Sequence, residues 1–497
     1  MYREVNMQWL KEWAEREPHR LCINEYSYHD IYRAVVYVAK QLDPVLVHTK
    51  RIAVISDNSV TMAVYILAVM LLHKEILLLN VHLKQCELKK QLDVLQVSIV
   101  LGSAERIAQV PTTVERVIPF DEQVLKQMPW REEVDLSAKG QLISLHTDTD
   151  IKQFREDNFD WRFTDDDVAV IMNTSATSGV FKSVPIQWGQ IQSHVAASQQ
   201  VLGVDDKDNW LIVLPLFHVS GLSILMRSLY NGTAMTVLPA YDENRILQLI
   251  KDKCITMMSL VPTLLQRLEP SIREHALRVI LLGGEFIPRP LIDICVTKGL
   301  PIYKTYGMTE TFSQSVTMPV LSNLHKIDSV GRPLPGMIVH IAEPDVDGIG
   351  TIHLEGPMVM IGYYGQEPMQ GVFNTNDIGY VDDEGYVYIL NRRTDLIISG
   401  GENIYPKEIE DLLYTHCAVK ECAVVPVDDE KWGQVPALFI ALHEGRAESV
   451  ESVKDELRHY MLQHLAKYKV PKYIMILPQL PRNGTGKIMR KELITYL

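Results

Sequence analysis

Cysteine is scarce in this chain, six residues in 497, and none forms a Cys-x-x-Cys pair. The six, at positions 22, 86, 254, 295, 417 and 422, make no disulfide framework and point to a reducing compartment. His416 lies near Cys417 and Cys422, but a zinc site needs about four ligands and no fourth is in view, so structural thiols are expected. Long apolar runs are missing too. The longest, "MAVYILAVMLLH" from Met62 to His73, falls short of the about 20 residues that cross a bilayer. It is predicted as a buried helix, with Asn58 and Ser59 available as caps. The opening stretch, "MYREVNMQWLKEWAEREPHR", carries charge throughout and no apolar core, so neither a secretory signal nor an anchor is expected and the chain reads as cytoplasmic.

Positive charge is in deficit, 49 Lys and Arg against 62 Asp and Glu, for a net charge of −13. That balance opposes non-specific contact with nucleic acid or anionic membrane, so any anionic ligand must be held by a local cluster of donors. Three familiar motifs are absent. There is no G-x-G-x-x-G for dinucleotides and no G-x-S-x-G nucleophile elbow. The Walker loop is missing as well: Gly179 and Lys182 are separated by two residues, and "GTGKI" at Gly484 to Ile488 ends in Ile where Ser or Thr is needed.

What is present is an ordinary globular composition, 47% hydrophobic and 22% charged, of a length that predicts about three domains or one large body with a small appendage. From Arg51 to about Thr351, β-rich runs such as "RIAVISDN", "VSIVLGSA", "WLIVLPLF", "AMTVLPA" and "RVILLGG" alternate with helical stretches such as "PTLLQRLEP" and "PLIDICVTKGL". The alternation predicts an α/β fold with mainly parallel strands. Polar residues crowd Leu136 to Asp167, a predicted surface connection. "GYVDDEGYVYIL" predicts a hairpin turned at Asp383 to Gly385, and a boundary follows near Asn391 to Asp395. Beyond it a helix from Pro406 to Thr415, a strand "ECAVVPV" and a helix around Val450 to His464 predict a small α+β domain.

Six short stretches carry candidate chemistry. "IMNTSATSGVFKSVP" follows an apolar strand, so backbone N–H groups and the hydroxyls of Thr174, Ser175, Thr177 and Ser178 can converge on one anion, with Lys182 supplying charge. "LLGGEF" ends a strand in Gly283 and Gly284, which lets a flat ring or a backbone approach closely. "YKTYGMTETFSQ" joins an aromatic residue to a carboxylate, Glu310, of the hard-oxygen kind that holds Mg²⁺ on phosphates. "NTNDIGY" presents Asp377 as an acceptor for two neighbouring hydroxyls, with Arg392 close behind. "ISGGENIYP" offers Gly400 and Gly401 against a ligand, and "PRNGTGKIMRK" places Lys487 on a Gly-flanked loop. Singly, each has a plainer reading as a turn, a helix start or a solvated lysine.

Taken in order, this set resembles the acyl-adenylate-forming superfamily of acyl- and aryl-CoA ligases, luciferases and peptide-synthetase adenylation domains. "NWLIVLPLFHVSGLSILMRSLYNG", "ILLGG", "YGMTETFSQ", "DLIISGGENIYP", "KWGQVP" and "HLAKYKVPK" are most similar to its 2-succinylbenzoate–CoA ligases of menaquinone synthesis. The resemblance implies a large N-terminal domain, 1–391, of two α/β lobes and a β-barrel subdomain, and a small mobile C-terminal domain, 395–497, hinged near Thr394. It implies ATP, Mg²⁺ and coenzyme A, and a small aromatic carboxylic acid as substrate. Thr174, Ser175, Thr177, Ser178, Gly179 and Lys182 would grip phosphates, and Glu310, with Thr177, would serve the metal. Gly283, Gly284, Tyr306 and Thr309 would enclose the base, Asp377 and Arg392 the ribose, and Gly400 and Gly401 the pantetheine arm. Lys487 would be the adenylation lysine and His218 the gate of the acid pocket, where Ser220, Ser259 and Ser313 are candidates for a second carboxylate. With Lys487 so near Leu497, a free-standing CoA ligase is expected over a carrier-serving domain; a homo-oligomer is left open.

The chain also departs from the superfamily's T-S-G-T-T-G-x-P-K-G. Ala176 and Ser183 replace Gly, Ser178 replaces Thr, Phe181 replaces Pro, and Asn376 replaces the Gly of T-G-D. These departures touch backbone freedom and leave the charged and donating positions competent, so a working clamp is expected in preference to an impaired nucleotide binder. Ala176→Gly is expected to leave KM for ATP unchanged or lower in steady-state kinetics; a clear rise would mean that the loop has its own geometry.

Overall fold

The computed structural model describes residues 4–6, 8–126, 159–174, 181–285, 287–392, 397–399, 402–429, 432–443, 449–465, 467–482 and 488–497. Two α/β lobes are built on separate sheets. The first has six strands in the order Lys182–Gln187, Val168–Thr174, Glu75–Leu78, Arg51–Ile55, Ile99–Gly102 and Arg116–Pro119. All pairs are parallel except that between the two strands flanking the hydroxyl-rich loop, which run antiparallel with Lys182 opposite Thr174. Pro185 lies inside the edge strand Lys182–Gln187, a position where its missing N–H leaves no inner ladder broken.

The helix expected from the long apolar run spans Val60–Leu71, and every residue from Thr61 to Leu71 is buried. Ser59 caps it, accepting from the Met62 N–H at 2.9 Å, a bond whose loss costs about 1 kcal/mol in typical helices. Asn58 is employed elsewhere. Its Nδ2 donates to the Leu214 carbonyl at 3.0 Å and its Oδ1 accepts from the Leu216 N–H at 2.8 Å, clamping a turn of the second lobe.

That second lobe carries nine strands, ordered Arg332–Pro333, Ser313–Pro319, Ile302–Met308, Val279–Leu282, Met257–Leu260, Asn209–Ile212, Ala234–Val237, Leu21–Ile23 and Tyr26–Ser27. The six from Ile302–Met308 to Leu21–Ile23 are parallel neighbours. The expected β-barrel subdomain is a half-barrel, four antiparallel strands Ile338–Ala342, Gly350–Glu355, Val372–Val381 and Val387–Arg392. Its last hairpin turns as expected: Asp382 Oδ1 accepts from the N–H groups of Glu384 and Tyr386 at 3.0 and 2.9 Å.

A separate five-stranded sheet begins at Ile397–Ser399 and has its own apolar core, with Ile404, Leu413, Leu438, Leu457 and Met461 buried. Helices Pro406–Tyr414 and Val450–His464 flank it, the second with the bounds read from sequence. The six cysteines are free thiols. Among the described residues no helix is long and apolar enough to cross a membrane.

Candidate active site

The second lobe's parallel strands end on one edge, and Ser259, Gly283, Gly284, Tyr306, Thr309 and His218 lie at or near their C-terminal ends, where open α/β sheets place ligands. Met257–Leu260 brings Ser259 beside Leu281, Val279–Leu282 leads into Gly283 and Gly284, and Ile302–Met308 leads through Tyr306 to a 3₁₀ turn at Thr309–Thr311. The turn after Asn209–Ile212 delivers His218 to the N-cap of helix Val219–Asn231. His218 is half-buried, its ring 4.8 Å from that of Phe217.

The two glycines have different jobs. A Cβ at Gly283 would sit 2.5 Å from the Thr305 carbonyl, so this residue lets two strands meet. Gly284 has φ +82° and stands exposed, free of backbone crowding, so it is the one that leaves room for a flat ring.

Asp377 is 3% exposed, and the Tyr306 phenol donates to its Oδ2 at 2.6 Å across 71 residues of chain. Thr375 Oγ1 accepts from the Asp377 N–H at 3.0 Å, and the strand pairing sets Asp377 opposite Arg392, of which the backbone is described. Between them Asn376 holds φ +59°. The position that usually carries Gly therefore does need the left-handed region, and Asn is among the few residues that enter it at modest cost. Ser183 is the opposite case. It lies in an ordinary strand, and its hydroxyl donates to Asn173 Oδ1 at 2.6 Å, so the loss of Gly brings a bond and no backbone strain.

Glu310 is tied on several sides. Its carbonyl accepts from Met360 N–H at 2.8 Å and from Gln190 Nε2 at 3.1 Å, and its Oε1 accepts from the Tyr363 phenol at 2.8 Å. Burial, and then the negative charge of Glu310, push the Tyr363 hydroxyl above its ordinary range and keep it a donor. The ammonium of Lys182 lies over the Tyr363 ring, 4.5 Å from the centroid. Tyr363, within "IGYYG", has no motif around it that points to chemistry, and sequence reasoning missed it.

Arg227 was missed as well. It is 1% exposed, bonded to Gln314 and, at 2.9 Å, to Ser223, with its guanidinium 4.4 Å from the Trp210 ring, and it has no carboxylate partner among the described residues. Burial pulls its pKa down to about 9. Gln314 follows Ser313, itself held at φ +102°. Ser259 Oγ is buried with no partner among the described residues, and Ser220 and Thr309 are half-buried. Thr174 donates to the Lys182 carbonyl at 3.4 Å. Ser175, Ala176, Thr177, Ser178, Gly179, Thr394, Gly400, Gly401 and Lys487 lie outside the described residues.

Two α/β lobes, a half-barrel and a small α+β unit, with Gly283, Gly284 and Glu310 just past strand ends and Asp377 within the half-barrel, make an architecture of the adenylate-forming kind. The model of the AMP-binding enzyme family matches residues 10–364 and that of the AMP-binding enzyme C-terminal domain matches 408–487, and the chain belongs to this family. The 2-succinylbenzoate–CoA ligase of Lactococcus lactis subsp. lactis is 47% identical over 487 residues, 98% of this chain and 100% of the relative. Among solved structures, o-succinylbenzoate CoA synthetase (MenE) from Bacillus subtilis, in complex with the acyl-adenylate intermediate OSB-AMP, is 32% identical and superposes with a TM-score of 0.83, covering 99% of this chain and 98% of that one. The same enzyme in complex with ATP and a magnesium ion gives 32% and 0.82, covering 99% and 100%.

Proposed function

We propose that the chain is an AMP-forming acid–thiol ligase of menaquinone synthesis, converting 2-succinylbenzoate, ATP and CoA to 2-succinylbenzoyl-CoA, AMP and pyrophosphate. The observation that carries this reading is the end-to-end likeness, 47% over 98% of the chain, to a ligase of that name. The geometry supports it. In the first half-reaction a carboxylate oxygen of the acid attacks the α-phosphorus and pyrophosphate leaves, so the protein's task is to hold and offset negative charge. The loop from Thr174 to Lys182 takes the β- and γ-phosphates, Asp377 the ribose hydroxyls with Arg392 beside it, and Tyr306 with Gly283, Gly284 and Thr309 the adenine.

The carboxylate of Glu310 suits Mg²⁺: half-buried, with one oxygen pinned by Tyr363, it presents the other as a hard ligand, and the superfamily motif assigns Thr177 as a second. Bound there, the ion would neutralise charge on the phosphates. Lys487 stabilises charge between the attacking carboxylate and the α-phosphate. His218 gates the acid pocket, and Ser220, Ser259 and Ser313 are set to bond the acid's second carboxylate. Arg227, with no carboxylate partner among the described residues, adds a positive field that favours a dianion.

In the second half-reaction the small domain turns about Thr394, withdraws Lys487 and brings Gly400 and Gly401 to the pantetheine channel; the CoA sulfur attacks the acyl carbonyl and AMP leaves. Thr394→Pro, which fixes φ, is expected to cut overall turnover at least ten-fold while leaving adenylate formation within about three-fold. Full turnover by that variant would overturn the hinge. The enzyme works in the cytoplasm, on soluble small molecules.

Pyrophosphate release measured with a panel of aromatic and aliphatic acids, followed by CoA thioester formation, tests the reading. 2-Succinylbenzoate should give the highest kcat/KM. Turnover of another acid with none of this one would replace the substrate and keep the reaction class.

A further inference from the structure

The segment Met358–Tyr364 ties together two parts of the site that are far apart in sequence. At one end Met360 N–H donates to the Glu310 carbonyl, and Gln190 Nε2 bridges the carbonyls of Glu310 and Met358 at 3.1 and 2.9 Å. At the other end Tyr364 N–H donates to the Ser183 carbonyl at 2.9 Å, next to Lys182, and the Tyr364 ring receives the Arg51 guanidinium at 4.7 Å. Tyr363 stands between these ties. Its hydroxyl reaches the Glu310 carboxylate at 2.8 Å while its ring carries the Lys182 ammonium at 4.5 Å.

Glu310 and Lys182 are opposite charges served by one side chain, yet they form no ion pair with each other. A carboxylate paired directly with the lysine would have its charge answered by a cation of the protein, and the lysine would be drawn off the phosphates. The phenol ring fills the space between them, an arrangement in which the cation meets a π-face and the anion meets an O–H.

We propose that Tyr363 is a positioning residue that keeps Glu310 and Lys182 from neutralising one another, leaving the carboxylate directed to the metal and the ammonium to the phosphates. This rests on the nucleotide-site reading above and deepens it. The polar contacts of the Tyr363 side chain are with Glu310 and Lys182, so its effect falls on metal-dependent nucleotide binding.

Calorimetry of ATP binding at several free Mg²⁺ concentrations, with no acid and no CoA present, tests the proposal on the full chain. Tyr363→Phe keeps the ring and loses the O–H. It should bind ATP as the wild type does without Mg²⁺, and lose roughly ten-fold in the affinity that Mg²⁺ adds, the scale of one hydrogen bond to a charged group. Tyr363→Leu removes the ring as well and should weaken ATP binding even without Mg²⁺, because Lys182 then pairs with Glu310. In a Glu310→Gln background the Tyr363→Phe change should cost nothing further, since the two act as one unit. Tyr363→His, which keeps a flat donor, should recover part of the Mg²⁺ response.

Equal Mg²⁺ dependence in wild type and Tyr363→Phe would overturn the proposal, as would a penalty undiminished by Glu310→Gln. If the wild type binds no Mg²⁺·ATP at all, the nucleotide-site reading falls and this one with it. If it binds Mg²⁺·ATP but proves to activate a different acid, only the substrate changes.

Discussion

Replacing Lys487 by alanine should lower ATP-dependent adenylate formation by roughly a thousand-fold, the upper range for one charge-stabilising donor lost from a transition state. The same protein, given ready-made acyl-adenylate and CoA, should form thioester at close to the wild-type rate. The asymmetry follows from the chemistry. Negative charge gathers between two anionic reactants only while the carboxylate attacks phosphorus; thiol attack on the mixed anhydride develops it at the acyl carbonyl, a step from which the proposed domain rotation would withdraw Lys487. Rapid-quench measurement of each half-reaction separates the two. An equal loss in both would remove the case for a lysine delivered by a moving domain.

The second large effect is expected at Asp377. Asp377→Asn keeps the shape of a side chain that is 3% exposed and keeps one oxygen to receive the Tyr306 phenol, but it removes the negative charge and turns the other acceptor into a donor. A ribose hydroxyl donating to a carboxylate makes a charge-assisted bond of roughly 1.5 to 3 kcal/mol, so KM for ATP should rise about 10- to 100-fold. The ribose is distant from the reacting bond, and the loss should be shared by ground and transition states, leaving kcat within a few-fold. Steady-state kinetics with ATP varied decides it. A KM within two-fold of wild type would take Asp377 out of the nucleotide site.

Much of this architecture follows from local pattern. The strands Arg51–Ile55, Ile99–Gly102, Asn209–Ile212, Ala234–Val237 and Val279–Leu282 each coincide with an apolar β-rich run to within a residue, and the buried helix Val60–Leu71 overlaps most of the longest apolar run. Glu310 and Asp377 stood out because a carboxylate beside Gly, Thr or an aromatic residue is locally conspicuous. What escaped depends on distant partners. Tyr363 gains its meaning from Glu310, 53 positions earlier, and Asn58 from a turn 156 positions later, so neither could be ranked above its neighbours by spacing. Arg227 hides in an apolar helix, where one basic residue reads as the edge of a face until its burial is seen. The strand Lys182–Gln187 was obscured by Pro185, which is harmless at a sheet's edge. Leu21–Ile23 and Tyr26–Ser27 are too short to declare themselves and are held as strands by the sheet they complete.

Asn376 carries a consequence for folding as well as for the site. Glycine at that turn would enter φ +59° without strain, but in the unfolded chain it would roam over more backbone conformations than any other residue. Asparagine gives up a little of the first advantage and narrows the second. Its N–H is also fixed locally, donating to Asn374 Oδ1 at 2.8 Å. The turn that aims Asp377 is therefore one that the unfolded ensemble loses less disorder to adopt. Where the superfamily motif has glycine, this chain sets the aim of the Asp377 carboxylate partly by what the peptide no longer does before it folds.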